Sequence, residues 1–256
     1  MNRINRVFSN GKAFIPFITA GDPNLEITKH LVYELAKLGV DMIELGIPFS
    51  DPVAEGPVIQ AADNRALLAG TTTDRIFDMV KEIRKSCDVP LAFMTYINPV
   101  FSYGTERFIK NSKEAGIDAL IIPDLPFEER EEVKPYCNKY EIAFISMIAP
   151  TSGERIKNIA VQAEGFIYCV SSLGVTGIRE KIGLDAADMI KSVKAVKDIP
   201  CAVGFGISTP EQAKAMAEIS DGVIVGSAIV KIIERYGKEC IQPVSEYVKT
   251  MIQAIK

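Results

Sequence analysis

An acid stands in the middle of an apolar run. Glu44 interrupts Met42 to Ile47, a stretch that reads as a buried strand, and an ionisable group there is costly unless it is paired or put to use. The run passes into a loop stiffened by Pro48, Pro52 and Pro57, which carries two more acids, Asp51 and Glu55. A carboxyl on a rigid strand, followed by carboxyls on a loop, can give and take protons during a reaction. The same glutamate could instead cap neighbouring backbone, and the stretch alone leaves both readings open.

A second group of residues points to an anion. Val203-Gly204-Phe205-Gly206-Ile207-Ser208 and Val225-Gly226-Ser227-Ala228 each carry a short apolar run into a glycine turn and then a helix. Backbone N–H groups at such turns, aimed by a helix N-terminus, bind phosphate without Lys or Arg. Glycines that merely permit tight turns are the alternative. Gly174-Val175-Thr176-Gly177 lies in a longer stretch of small residues, Ser171 to Gly183, of the length expected of a lid over a site. Phe17, Phe49, Tyr96, Tyr168 and Phe205 stand at or near the ends of apolar runs and could line a flat pocket.

These residues need a frame. Short apolar runs at Ala13–Ala20, Met42–Ile47, Leu91–Ile97, Ala119–Pro123, Ala143–Ala149, Gly165–Val170, Cys201–Phe205 and Gly222–Val225 alternate with amphipathic stretches along the whole chain. Ile27, Leu31, Leu35 and Leu38 mark the first helix, and Pro210 opens a later one at its first turn. Eight strand–helix units with extra helices, and no linker, predict a single (β/α)8 TIM barrel spanning 1–256, with a phosphate site after strands seven and eight. A doubly wound open sheet is the runner-up. In a barrel the site lies at the C-terminal ends of the strands, which gathers Asp22, Glu44, Glu55 and Asp124 in one half of the rim and the glycine turns in the other.

Composition narrows the chemistry. The 256 residues carry a net charge of −4 and no Lys/Arg cluster, against an electrostatic nucleic-acid surface. No apolar run is long enough to span a bilayer, and the N-terminus lacks the apolar core of a signal peptide, so a cytoplasmic protein is expected. The 5 cysteines are widely spaced without a CxxC pair, arguing against a zinc site or a disulfide framework. His30 is the sole histidine, and none of the eight strands holds a lysine for a Schiff base. Carboxylate acid–base catalysis on a phosphorylated substrate is what remains.

In this order and number, the motifs Pro16-Phe17-Ile18-Thr19-Ala20-Gly21-Asp22-Pro23, Glu44 to Pro52, Gly56 to Gln60, Pro123-Asp124-Leu125-Pro126, Gly174 to Gly177, Gly204 to Ile207 and Gly226 to Val230 resemble the α subunit of tryptophan synthase over nearly the whole chain. That family cleaves indole-3-glycerol phosphate to indole and glyceraldehyde 3-phosphate. The resemblance implies that Glu44 is the general acid/base at the indole carbon and that Glu55 accepts a hydrogen bond from the indole N–H. It implies that Phe17 and Tyr168 border the indole, that Thr176 closes onto the loop acid, and that Gly177, Phe205, Gly206, Gly226 and Ser227 hold the phosphate. It also implies no metal or organic cofactor in this chain, and an αββα heterotetramer whose pyridoxal phosphate belongs to the β partner. The loop Pro48–Pro57 and the segment Asn98–Tyr103 would face that partner. One position departs from the pattern. The family has Asp where this chain has Glu55, an arm longer by one methylene, which leaves two outcomes open: an adjusted loop or a slower site.

Overall fold

The computed structural model describes residues 3–170, 179–204 and 206–256, without the side chains of 179–185. Its strands are β1 (Ala13–Thr19), β2 (Ile43–Gly46), β3 (Leu91–Met94), β4 (Ala119–Ile121), β5 (Ala143–Phe144), β6 (Ser146–Ile148), β7 (Ile167–Val170), β8 (Cys201–Gly204) and β9 (Gly222–Val225). Every pairing is parallel, in the order β5-β4-β3-β2-β1-β9-β8-β7-β6. The segments β5 and β6 are two halves of one stave. The first half pairs with β4 and the second with β7. Ile145, whose N–H still donates to the Leu120 carbonyl at 3.0 Å, marks where the stave passes from one neighbour to the other. Counted once, that stave closes a (β/α)8 barrel, so all eight expected strands form.

Both faces of these strands are buried, which is why they read as apolar runs. Phe14, Ile18, Ile43, Leu45, Leu91, Phe93 and Leu120 pack outward under the helices. Ala13, Ile15, Met42, Ala92, Ile121, Phe166, Tyr168, Ala202 and Ile224 fill the interior, closed from below by Ile4 and Val7. Strand side chains alternate, so Glu44, between outward Ile43 and Leu45, points into the barrel.

The helices follow their local signals. Asn24 caps Leu25–Lys37 by accepting from the Ile27 N–H at 2.9 Å, and Pro57 opens Pro57–Leu68. Three stretches differ from expectation. A helix spans Ile97–Tyr103, where Pro99 and clustered aromatics mask the helical period. The charged segment after β4, whose Glu128 to Lys139 reads in sequence as one exposed helix, divides into a 3-10 turn, Phe127–Glu132, and a helix, Lys134–Tyr140, with a proline in its first turn. The helix that follows the expected lid stretch begins at Arg179, so residues 179–183 of that stretch are helical.

The N-terminal rim is held by a repeated device. Asp41, Asp118, Glu164 and Asp221 stand ahead of β2, β4, β7 and β9. Each accepts from an N–H at the start of the preceding stave: Phe14 (2.8 Å), Leu91 (3.0 Å), Phe144 (2.7 Å) and Cys201 (2.8 Å). Each also meets a cation: Lys256 (3.2 Å), Arg84 (2.9 Å), Lys134 (2.6 Å) and Lys194 (3.0 Å). Charge-assisted bonds of this kind pin neighbouring staves in register.

Candidate active site

Glu44 sits on β2 in register with Phe17 on β1 and Ala92 on β3. It is 0% exposed, and neither carboxyl oxygen has a hydrogen-bond partner among the described residues. Loss of solvation pushes its pKa up to about 8, so the group holds its proton at neutral pH. Tyr168 on β7 is near enough to feel that charge. Burial, and then Glu44, drive its phenol well above the ordinary range.

Two rings beside Glu44 lie flat because of glycines on neighbouring strands. A Cβ on Gly46 would come within 2.5 Å of Phe17 Cζ, and one on Gly204 within 2.3 Å of the Tyr168 hydroxyl oxygen. Real Cβ atoms do not approach so closely, so any side chain at either position would lift the ring. Gly204, expected in a phosphate turn, therefore makes room for Tyr168.

The loop after β2 is tied at several points. The Ala54 N–H donates to the Tyr96 hydroxyl at 3.1 Å, the Tyr96 ring packs on Phe49 at 5.6 Å, and the Gln60 side chain donates to the Glu55 carbonyl at 2.8 Å. The Glu55 carboxyl is half-buried with its pKa raised by that burial, and its Oε2 is buried without a partner. Beside it stands Asp63, from the helix Pro57–Leu68. This acid is buried, and its pKa is pushed up to about 9 by burial first and the Glu55 charge second.

Asp63 was not among the expected site residues, because Asp63-Asn64-Arg65 looks like a solvated helix face. A signal was present. Asp63 follows Ile59 by four positions and precedes Ala66 by three, both on the buried face. Thr19 and Thr95, at the ends of β1 and β3, were also missed; each hydroxyl is buried without a partner among the described residues.

Other rim acids are committed. Asp22 is buried and gripped by Arg65 Nε and Nη2 at 2.9 Å each, while Arg65 Nη1 meets Glu234 at 3.0 Å. Asp124 accepts from the Ile97 N–H at 3.0 Å. Across the rim, Gly226 caps the helix Ser227–Tyr236 with no side-chain bond, leaving first-turn N–H groups open, and Ser227 is exposed. Gly206, past the adjacent β8, is exposed with φ of 75°. Thr176, Gly177 and Phe205 lie outside the described residues.

Fold and rim are those of a (β/α)8-barrel enzyme with carboxylic acids dehydrated at the C-terminal ends of its strands. The family model "Tryptophan synthase alpha chain" matches residues 5–256. The tryptophan synthase alpha chain of Lacticaseibacillus casei is 48% identical over 255 residues, covering 100% of this chain and 96% of that protein. That of Caldanaerobacter subterraneus subsp. tengcongensis is 47% identical over 262 residues, with 100% of each covered. Among solved structures, subunit alpha from Legionella pneumophila superposes with a TM-score of 0.90 at 39% identity, covering 100% of this chain and 98% of that one. A tryptophan synthase complex from Pyrococcus furiosus gives 0.87 at 35% identity, covering 95% and 98%. The chain belongs to the tryptophan synthase alpha chain family.

Proposed function

We propose that this chain cleaves indole-3-glycerol phosphate to indole and glyceraldehyde 3-phosphate, with Glu44 moving the proton and Glu55 supplying the anion at the indole nitrogen. The observation that carries the reading is Glu44 itself: a wholly buried acid, without a partner among the described residues, that keeps its proton at neutral pH. Protonated Glu44 gives its proton to the ring carbon that bears the glycerol chain. The bond from that carbon to the chain then breaks, and its electron pair returns to the ring. The adjacent hydroxyl oxygen becomes the aldehyde oxygen, and its proton passes to the Glu44 carboxylate, which is thereby reset. A raised pKa suits one carboxyl to both roles.

Protonation at carbon places positive charge on the ring, and the free oxygen of Glu55 accepts from the indole N–H where that charge develops. Phe17 and Tyr168 border the ring. The open amides at Gly226 and Ser227, with Gly206, Phe205 and Gly177, hold the phosphate, and Thr176 closes over the loop acid. Every proton donor and acceptor in this scheme is a carboxyl of the chain or the substrate's own hydroxyl, so it calls on no metal or organic cofactor here.

A β subunit carrying pyridoxal phosphate consumes the indole in this reading. The solved relatives include the tryptophan synthase a2b2 complex of Pyrococcus furiosus. Val53 on the loop after β2 is 78% exposed and Phe101 on the helix Ile97–Tyr103 is 47% exposed, apolar groups on the two segments assigned to that partner. A cytoplasmic location goes with this pathway role. An indole-release assay of the purified chain, alone and with a cognate β subunit, tests the proposal. Indole release that Glu44→Gln leaves at the wild-type rate overturns it.

A further inference from the structure

We propose that Tyr96 is a positioning residue for Glu55: its side chain clasps both arms of the loop after β2 and fixes the backbone that carries this acid, so that the free Glu55 oxygen meets the indole N–H. The inference rests on the reading of Glu55 given above.

One side chain reaches both arms of the loop. The Tyr96 ring packs on Phe49 near the loop's start with centroids 5.6 Å apart, and its hydroxyl oxygen accepts from the Ala54 N–H, one residue short of Glu55, at 3.1 Å. On the other side of Glu55, the Gln60 side chain donates to the Glu55 carbonyl at 2.8 Å. The acid is therefore bracketed, with the amide of the residue before it and its own carbonyl both held. The two ties are unequal. Gln60 is exposed and belongs to the helix Pro57–Leu68, into which the loop itself runs, so it moves with the loop. Tyr96 is 2% exposed and stands on the barrel wall, just past β3.

The base of the clasp is itself fixed. Thr95 donates its N–H to the Ile121 carbonyl at 3.1 Å, which carries the ladder between β3 and β4 past the strand's end, and Asp124 accepts from the Ile97 N–H at 3.0 Å. Tyr96 lies between these two bonds and is the residue that caps the helix Ile97–Tyr103. Burial, and then the Glu55 charge, hold its phenol above the ordinary range, so the hydroxyl stays neutral beside the acid. A group anchored to a rigid element is placed more precisely than one left to a loop, and a displacement of about 1 Å at a reacting group can cost on the order of 10²-fold. Ala54 is exposed, so its N–H turns to water when the hydroxyl is removed. The fold survives that loss and the hold on the loop does not.

The test compares two uncleavable probes: an indole bearing a three-carbon alkyl phosphate at C3, and its benzofuran counterpart, in which oxygen replaces the N–H. Calorimetry with the wild type gives an indole preference of about tenfold or more, the size of a hydrogen bond to a charged group, and Glu55→Ala abolishes it. Tyr96→Phe keeps the ring on Phe49 and removes only the hydroxyl. The indole preference then falls by about threefold or more, while benzofuran affinity stays within about twofold. A merely structural role weakens both probes alike. An unchanged preference in Tyr96→Phe, or equal weakening of both probes, overturns the inference and leaves the reading of Glu55 standing. A wild type without an indole preference overturns both.

Should Tyr96→Phe fail to fold, an ester in place of the amide between Val53 and Ala54 deletes the same bond from the donor's side and leaves Tyr96 whole. The same selective loss is expected, and an undiminished indole preference overturns the clasp.

Discussion

The two rims of the barrel treat the same side chain in opposite ways. At the N-terminal rim, Asp41, Asp118, Glu164 and Asp221 each receive a strand N–H and face a Lys or Arg. At the C-terminal rim, Glu44 has no partner among the described residues, and Glu55 and Asp63 stand side by side. Of the four lower acids only Asp118 is as buried as those above, with Glu164 and Asp221 more than a third exposed, and the company differs as well. A carboxylate with donors and a counter-ion serves the fold, whereas a buried one without them keeps its proton and can give it away. The division agrees with the general asymmetry of such barrels, stability below and chemistry above.

The largest break in that contrast comes from Glu44→Gln. Loss of a positioned general acid and base lowers kcat about 10²- to 10⁴-fold, read by indole release. Stability moves the other way. Glu44 titrates near 8 in the folded chain against a usual 4.5, so between those values the native state binds more protons than the unfolded one. The wild type therefore loses stability as pH rises through that window, and Gln does not. The melting temperature of Glu44→Gln exceeds that of the wild type by a margin that widens from about pH 5 to 8 and then levels. A constant margin would mean that Glu44 is not held neutral by burial.

Asp118→Asn is the mirror experiment. It leaves an acceptor for the Leu91 N–H but strips the counter-charge from Arg84, whose side chain is only 10% exposed, and from Arg3 at 3.0 Å. Breaking a buried pair from one side costs about 3–5 kcal/mol, measurable by urea unfolding, while kcat of the folded protein stays within about twofold. A fall in kcat comparable to that of Glu44→Gln would erase the distinction between the rims.

Glu55→Asp sharpens the comparison within the upper rim. In a loop whose Tyr96, Gln60 and Phe49 ties hold the backbone still, a shorter arm withdraws from the indole nitrogen. A displacement of about 1 Å costs on the order of 10²-fold at most, and we expect kcat/KM to fall by about tenfold or more. A gain on restoring the shorter acid would mean that the loop had not adapted to Glu.

Much of this was legible in the sequence, for a physical reason. Parallel strands buried on both faces are apolar runs, and eight of them leave few topologies. Glu44 stood out because it broke such a run. Asp63 did not, since a helix mixes polar and apolar residues and its Asn64 and Arg65 neighbours blur the periodicity. The lower-rim acids were legible in principle: Asp41, Asp118, Glu164 and Asp221 each stand one to three residues ahead of a strand, a recurrence visible without coordinates. The nearness of Glu55 to Asp63, and of Gly204 to the Tyr168 ring, depends on angles between elements that no local pattern contains.

The smallest effect is expected from Ser227→Ala, at the part of the upper rim that uses no acid at all. Ser227 opens the helix after β9, is exposed, and stands next to a cap that makes no side-chain bond. In the proposed site the peptide N–H groups carry the phosphate, and alanine keeps every one of them. KM should change by no more than about twofold, and by the same factor across pH, because amides have no protonation state to lose. A tenfold rise in KM, about 1.4 kcal/mol, would transfer the phosphate to the hydroxyl. The anion would then be bound by a side chain, and the lower rim's rule, side chains against charge, would hold on this half of the upper rim as well.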